Sequence, residues 1–191
     1  MRAIWTHLAL GIATLALALA SGAANADCDF LTGGGFIINN GAQANFGVGG
    51  GCKNGTPTWG HLEYIDHGAG LKVHGTSITA YFVDNSVSGG FDSQGRPTGS
   101  RFICGKARTN LPAPNDVDVD FVVRARDTGE PGVMDEFDIQ LTKGGPLYST
   151  VNSGFPHKLN AGNGGGGNIQ LQKPNPSTTG NFGGSCPALA A

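Results

Sequence analysis

Charged side chains are scarce in this chain, and no cluster of basic residues occurs. Lys and Arg number 12 and Asp and Glu number 14 among 191 residues, which gives a formal net charge of −2. A protein that neutralises nucleic-acid phosphates needs a basic surface, commonly with aromatic rings among the basic residues. The composition therefore argues against nucleic acid as a partner.

Motifs for nucleophilic or zinc chemistry are also absent. The sequence contains neither a Gly-x-Ser-x-Gly elbow nor a His-Glu-x-x-His pattern. Aromatic residues make up only 8 %, and Trp59 is the single tryptophan after residue 26, which argues against a broad surface for stacking sugars. We expect a protein that is not an enzyme and holds no resident cofactor.

Long apolar runs are missing everywhere except at the N terminus. There the uncharged run 8–20 follows Arg2, and the small-residue tripeptide 24–26 ends the segment. The run is shorter than the roughly 20 residues of a membrane span. This layout predicts a signal peptide over residues 1–26 and export to the extracellular space or the periplasm. It predicts no membrane insertion of the remaining chain and leaves the oligomeric state open.

Four cysteines follow the predicted cleavage site, and their even number in an exported chain predicts two disulfide bonds. The pairing we expect is Cys28–Cys186 with Cys52–Cys104. The first bond would tie the two ends of the chain together, and the second would join a loop to a central strand. The other two connectivities remain open from the sequence.

Glycine and two-residue periodicity dominate the chain after residue 26. The 33 glycines and 10 prolines favour many tight turns between short strands, and helical periodicity is missing. The pattern predicts a single-domain antiparallel β-sandwich of about nine strands, jelly-roll or immunoglobulin-like, with a β-barrel as the alternative. The domain is expected over residues 27–174, with a polar tail over 175–191 that carries Cys186. The weaker strand candidates are 35–38, 42–48, 61–65, 71–75, 78–83, 102–109 and 168–173.

The clearest strands, 117–126 and 137–142, are joined by a turn-rich segment and should form a hairpin. In an antiparallel pair, directly opposed residues share a face, so their numbers add to a constant even value. A sum of 262 places Val123 opposite Ile139 and Arg124 opposite Asp138. We therefore expect the apolar pairs on the buried face and the charged pairs in solvent.

Three acidic residues, Asp127, Glu130 and Asp135, lie at the mouth and in the loop of this hairpin. Ca²⁺ could offset the repulsion between the two opposed aspartates. Alternatively, both aspartates accept hydrogen bonds from loop N–H groups in Asx-type turns. A third hypothesis is that these acids serve a glycoside hydrolase. Such catalysis needs two carboxyl groups about 5 or 6.5–9.5 Å apart, one of them in an apolar setting.

The histidines after residue 26 show no spacing typical of a metal site, and we expect them on the surface. They are His61, His67, His74 and His157.

A series of short motifs spans most of the chain after residue 28. Their joint order resembles the post-COAP domain family, a bacterial secreted module. The resemblance implies an exported β-rich domain without assigned catalytic residues, and it covers roughly residues 28–174. The motifs are Thr32-Gly33-Gly34-Gly35-Phe36-Ile37, Asn45-Phe46-Gly47, Gly60-His61-Leu62-Glu63-Tyr64 with Asp66-His67, Val73-His74-Gly75, Cys104-Gly105-Lys106-Ala107-Arg108-Thr109-Asn110, the segment 127–137, and Gly167-Asn168-Ile169-Gln170-Leu171-Gln172-Lys173.

Together these patterns predict a secreted, disulfide-stabilised binding or structural module whose partner is an unknown protein or a surface glycan. The solvent-facing strand surfaces and the loops 84–101 and 154–167 would supply the contact surface. A Ca²⁺-dependent surface or carbohydrate binder is one alternative. A hydrolase that uses the acids of the 127–135 loop is the other.

Overall fold

The computed structural model describes residues 28–160, 162 and 164–187, and the predicted signal peptide lies outside them. The described chain is all-β apart from one short 3₁₀ turn at Val151–Ser153. None of its helices is long and apolar enough to cross a membrane. The strands are β1 (Phe30–Asn39), β2 (Ala42–Lys53), β3 (Thr56–Asp66), β4 (Leu71–Val83), β5 (Gly90–Phe91), β6 (Pro97–Thr109), β7 (Val119–Asp127), β8 (Glu136–Thr142), β9 (Pro146–Ser149), β10 (Gly166–Gln172) and β11 (Gly183–Gly184).

The strands form one continuous antiparallel sheet that folds over on itself. Its order is β10-β1-β2-β3-β4-β6-β7-β8-β9, with β11 beside β4 and β5 beside β6. Rings from distant strands meet inside the fold: Phe46 of β2 stacks on Phe137 of β8, with ring centroids 3.9 Å apart. The predicted all-β antiparallel class is confirmed. The barrel alternative is wrong, because the path ends at β10 and β9 without closing.

The predicted hairpin register is confirmed, since Val123 pairs with Ile139 and Arg124 with Asp138 in β7 and β8. The expectation that the charged face lies in solvent is wrong. Arg124, Glu136 and Asp138 are all buried. Neighbouring loops cover this face, and Asp84 from the loop after β4 binds the Arg124 guanidinium at 2.7 Å. Buried charges persist only when they are paired, and Glu136 supplies the second partner of Arg124 at 2.7 Å.

Close backbone approach at Gly105 of β6 gives a stability prediction. A Cβ at Gly105 would lie 2.0 Å from the carbonyl oxygen of Ser77 and 2.6 Å from the Phe121 ring, whereas one at Gly47 would meet nothing within 4 Å. We expect Gly105→Ala to lower the free energy of unfolding by about 2 kcal/mol through overpacking. Gly47→Ala, the matched control, should change it by less than about 0.5 kcal/mol. Urea denaturation measures both, and equal effects would contradict this explanation.

The structure contains two disulfide bonds, but the expected pairing is wrong. Cys28 pairs with Cys52, and Cys104 pairs with Cys186. The β1–β2 register sets Phe30 opposite Gly51, which brings Cys28 beside Cys52 with a Cα–Cα distance of 5.7 Å. Cys52 belongs to the main core, whereas Cys104 lies in a separate apolar cluster with Ala80 and Val122. Two cysteines in separate clusters cannot meet without a rearrangement of the backbone.

Residues 175–187, the described part of the predicted tail, pack against the sheet. β11 pairs with β4 through Gly184 and Ala80, and Ala80 in turn pairs with Cys104 of β6. This placement brings Cys186 within disulfide distance of Cys104. Phe182 packs on the main core and stacks on Tyr81. The two disulfides indicate an oxidising, extracellular-type environment.

Candidate functional site

The two predicted aspartates connect the β7–β8 hairpin to the free edge of β10. The backbone N–H of Ile169 donates to Asp135 at 2.8 Å, and the N–H of Leu171 donates to Asp127 at 2.7 Å. These two N–H groups belong to alternate residues of one strand, so both point to the same edge. The carboxylates therefore occupy the place where a neighbouring strand would provide carbonyl oxygens.

The second oxygen of each carboxylate binds the hairpin loop itself. Asp135 accepts the N–H of Thr128 at 2.9 Å, and Asp127 accepts the N–H of Gly129 at 2.7 Å. Both aspartates accept loop N–H groups as predicted, but only Asp127, which accepts the N–H two residues later in the chain, forms an Asx-type turn. Glu130 instead accepts hydrogen bonds from side-chain amides of β10, at 3.0 Å for Gln170.

The calcium prediction lacks a matching cluster in the part of the chain that the structure describes. No three His, Cys, Asp or Glu side chains there lie together as potential metal ligands. Asp135 has no exposed surface, and both of its oxygens already accept backbone N–H groups.

Burial changes the proton affinity of these carboxyl groups. Loss of solvent raises the pKa of Asp135 to about 6, because the hydrogen bonds that favour its charged form do not fully replace water. Burial likewise raises the pKa of Asp127. Elevated pKa values are typical of functional acids, but here the acids are occupied by backbone contacts.

The raised pKa of Asp135 predicts how stability depends on pH. The unfolded carboxyl group loses its proton near pH 3.8 and the folded one near pH 6, so the folded state holds more protons between these values. The contribution of Asp135 to the free energy of unfolding should therefore fall as the pH rises from about 4 to about 6. Asp66 and Asp84 titrate below this pH range. Hydrogen bonds to their carboxylates outweigh the effect of burial and hold the pKa of each below 3.8.

Urea denaturation between pH 4 and pH 7 checks this prediction. The variant Asp135→Asn has no charge to titrate and should show a flatter pH profile than the wild type over this window. Parallel profiles for the two proteins would contradict the assignment of the slope to Asp135.

A cleft lined by two aromatic rings and several polar groups lies in a different part of the fold, and we call it the Trp59 cleft. It has a volume of about 170 Å³. In the paired strands, Phe30 of β1 and Trp59 of β3 both lie opposite Gly51 of β2. Gly51 has no side chain, and a Cβ there would lie 2.4 Å from the Cβ of Phe30. The two rings consequently approach edge to face, with centroids 5.9 Å apart. The lining residues are Phe30, Cys52, Lys53, Trp59, Asn175, Ser177 and Thr178.

The polar side of the Trp59 cleft is a turn held by its own hydrogen bonds. The N–H and hydroxyl of Ser177 donate to the Asn175 side chain, and the Thr178 hydroxyl accepts the Asn175 N–H at 2.7 Å. The N–H of Gly55 donates to the carbonyl of Thr179 at 2.9 Å, which joins this turn to the β2–β3 connection. The cleft is thus formed before any ligand arrives, which lowers the entropy cost of binding.

One cation accompanies the aromatic pair. The Lys53 ammonium group lies 5.8 Å from the centre of the Trp59 ring. A β-bulge between Gly51 and Lys53 shifts the strand register just before this residue. The cleft can therefore offer a molecule an apolar ring face, amide and hydroxyl groups, and one positive charge.

Sequence reasoning missed this cleft. Phe30 and Trp59 lie 29 positions apart, and the strand candidates 35–38 and 61–65 began too late to include either residue. The available signal was Gly51, since glycine opposite aromatic residues in a sheet marks a place where rings can cover the backbone.

Comparisons of this chain with protein-family models, with curated proteins and with solved structures found no match.

Proposed function

We propose that this chain is an exported, non-catalytic binding module that holds one sugar unit of a glycan in the Trp59 cleft. The observation that carries the proposal is the Trp59 ring beside Phe30 in a preformed cleft with an amide and hydroxyl rim. A pyranose ring presents an apolar C–H face to an aromatic ring and directs its hydroxyl groups to polar neighbours. A cleft of about 170 Å³ has room for one such ring.

The surrounding chemistry supports a preference among sugars. Lys53 is the one charged residue that lines the described cleft. A uronic acid would place its negatively charged carboxylate near the Lys53 ammonium group, and the two opposite charges would form an ion pair. Export is supported by the two disulfides, and the motif order that resembles the post-COAP domain family fits an exported module.

Affinity electrophoresis through gels that contain neutral or uronate-rich soluble polysaccharides tests the proposal. We expect at least one polysaccharide to retard the wild type, and Trp59→Ala to lower the affinity at least about tenfold by removing the stacking face. Lys53→Met should reduce the preference for uronate-rich chains over neutral ones.

Phe91→Ala is the matched control, because Phe91 is a solvent-exposed aromatic residue (77 %) outside the Trp59 cleft. It should migrate as the wild type does. Equal retardation of Trp59→Ala and the wild type would contradict the assigned cleft. Release of reducing ends from any bound polysaccharide would contradict the non-catalytic part of the proposal.

A further inference from the structure

The Trp59 cleft lies at one end of a row of glycines on the outer face of β2. The β2–β3 register sets these glycines opposite alternate residues of β3: Gly51 with Trp59, Gly49 with His61, and Gly47 with Glu63. Directly opposed residues share a face of the sheet, and alternate residues of a strand point the same way. All three pairs therefore lie on the side of the sheet that carries the cleft, and we call the face they form the β2 surface.

The β2 surface is shallow, because its central strand carries no side chains. A Cβ at Gly47 would meet nothing within 4 Å, so the space above this residue is open. Above Gly49, an added Cβ would lie 3.1 Å from ring atoms of His61, which is itself exposed. Gly34 of β1 lies on the other side of Gly47 and is also exposed. The surface thus continues from the aromatic pair over an imidazole ring to a stretch of bare backbone.

The length of the β2 surface exceeds that of one sugar unit. Alternate residues of a strand are about 7 Å apart, so Gly47 lies about 14 Å from Gly51. A sugar in the Trp59 cleft covers only the Gly51 end. An extended glycan that leaves the cleft along β2 would place about two further units above Gly49 and Gly47. The exposed His61 ring can form hydrogen bonds with hydroxyl groups of such units.

The charge of the β2 surface changes sign along this length. The Lys53 ammonium group accompanies Trp59 at one end. Glu63 lies at the other end, where its carboxylate contacts Nδ1 of the exposed His74. A uronic acid fits the Lys53 end, whereas a second carboxylate above Gly47 would lie near Glu63 and be repelled. The surface therefore favours a chain in which neutral sugar units follow a uronic acid.

We propose that the β2 surface extends the Trp59 cleft, so that the ligand is a stretch of a glycan in which neutral sugar units follow one uronic acid. This inference rests on the proposed function, because it requires a sugar in the Trp59 cleft. It adds that affinity grows with chain length and depends on the spacing of the charged units. Without this extension the cleft would still bind a single uronic acid, so the two proposals can fail separately.

Calorimetry with three probes tests the extension. The probes are glucuronic acid, the four-unit repeat of gellan, which has one glucuronic acid and three neutral sugars, and tetragalacturonic acid, in which every unit is charged. We expect the gellan repeat to bind at least tenfold more tightly than either of the others. Equal affinities for the gellan repeat and glucuronic acid, or no binding of the gellan repeat, would overturn the proposal. Glu63→Gln should bring the affinity for tetragalacturonic acid closer to that for the gellan repeat, and an unchanged difference would overturn the charge assignment.

Gly47→Ile obstructs the β2 surface without touching the Trp59 cleft. We expect it to lower the affinity for the gellan repeat to about that of glucuronic acid and to leave glucuronic acid binding unchanged. Gly145→Ile in the β8–β9 turn is the matched control, since a Cβ there also meets nothing within 4 Å. Wild-type affinity of Gly47→Ile for the gellan repeat would overturn the extension. Trp59→Ala should lose both ligands, and glucuronic acid binding that survives in this variant would instead contradict the proposed function.

Amide NMR of the wild type locates the extension without a variant. The N–H resonances of Gly34 and Gly47 should shift saturably with the gellan repeat and stay in place with glucuronic acid. The N–H resonance of Lys53, beside the cleft, should shift with both ligands. Shifts with the gellan repeat that stay confined to the Trp59 cleft would overturn the proposal and leave the cleft itself supported.

Discussion

Replacing Asp135 by alanine is expected to lower the free energy of unfolding by about 3–4 kcal/mol. The change leaves the buried N–H of Ile169 unpaired, which costs about 1–3 kcal/mol, and it also removes the acceptor of the part-buried N–H of Thr128, which water can partly replace. It also removes one of the two carboxylates that hold the edge of β10, and Asp127 still accepts the N–H of Leu171. Burial of the charged carboxylate is itself unfavourable, as the raised pKa of Asp135 indicates. Its removal therefore offsets part of the loss in the free energy of unfolding.

Asp120→Ala is the matched control for Asp135→Ala. Asp120 lies on the same strand pair but forms a partly exposed salt bridge with Lys106. Such pairs contribute about 0–1 kcal/mol, so the control should have a small effect. Urea denaturation at pH 7 measures both variants, and hydrogen exchange should show faster exchange at Ile169 only in Asp135→Ala. A loss below about 1 kcal/mol for Asp135→Ala would show that the carboxylate does not hold this edge.

Removal of the Cys104–Cys186 disulfide should destabilise the protein by about 4–5 kcal/mol. The bond closes a loop with a sequence separation of 82, and in the chain-entropy model the stabilisation grows with loop length. The double variant Cys104→Ala with Cys186→Ala also frees β11 from the edge of β4. Denaturant unfolding under non-reducing conditions measures the loss.

The shorter disulfide provides the comparison. Cys28–Cys52 spans a separation of 24, so the same model gives about 3 kcal/mol for its removal. The order of the two effects is the informative result, because each variant loses one disulfide bond and two sulfur atoms. A larger loss for the Cys28–Cys52 variant, or peptide mapping that links Cys28 to Cys186, would contradict the connectivity described above.

The local pattern of the sequence was sufficient to predict the β7–β8 hairpin. Strict alternation of apolar and polar residues fixes which side chains share a face, and the turn-rich segment fixes which strands pair. These two facts determine that Val123 opposes Ile139. They also brought Asp127 and Asp135 to the hairpin mouth, where the structure has them.

The local sequence pattern does not predict contacts between residues that are far apart in the chain. Alternation does not reveal that later loops cover the charged face, so Arg124 and Asp138 were expected in solvent but are buried. His157 was expected on the surface for the same reason, and Asp138 holds it inside. Pairing of Cys104 with Cys186 depends on β11, a strand of two residues with no period to detect.

The strand count shows the same limit. Two candidates, 71–75 and 78–83, are one strand, β4, because irregularities in its pairing with β6 interrupt the alternation. The short strands β5, β9 and β11 were not expected, since two to four residues carry too little pattern. The post-COAP resemblance and the cleavage after residue 26 remain predictions.

The fluorescence of Trp59 tests directly whether a sugar ring binds in the Trp59 cleft. In protein without residues 1–26, Trp59 is the only tryptophan, so the emission reports on the proposed cleft alone. On addition of the polysaccharide that retards the protein, we expect a shift of the emission to shorter wavelength and weaker quenching by acrylamide, because a sugar ring excludes water from the indole face. Unchanged emission and unchanged quenching at a saturating polysaccharide concentration would contradict glycan binding at Trp59.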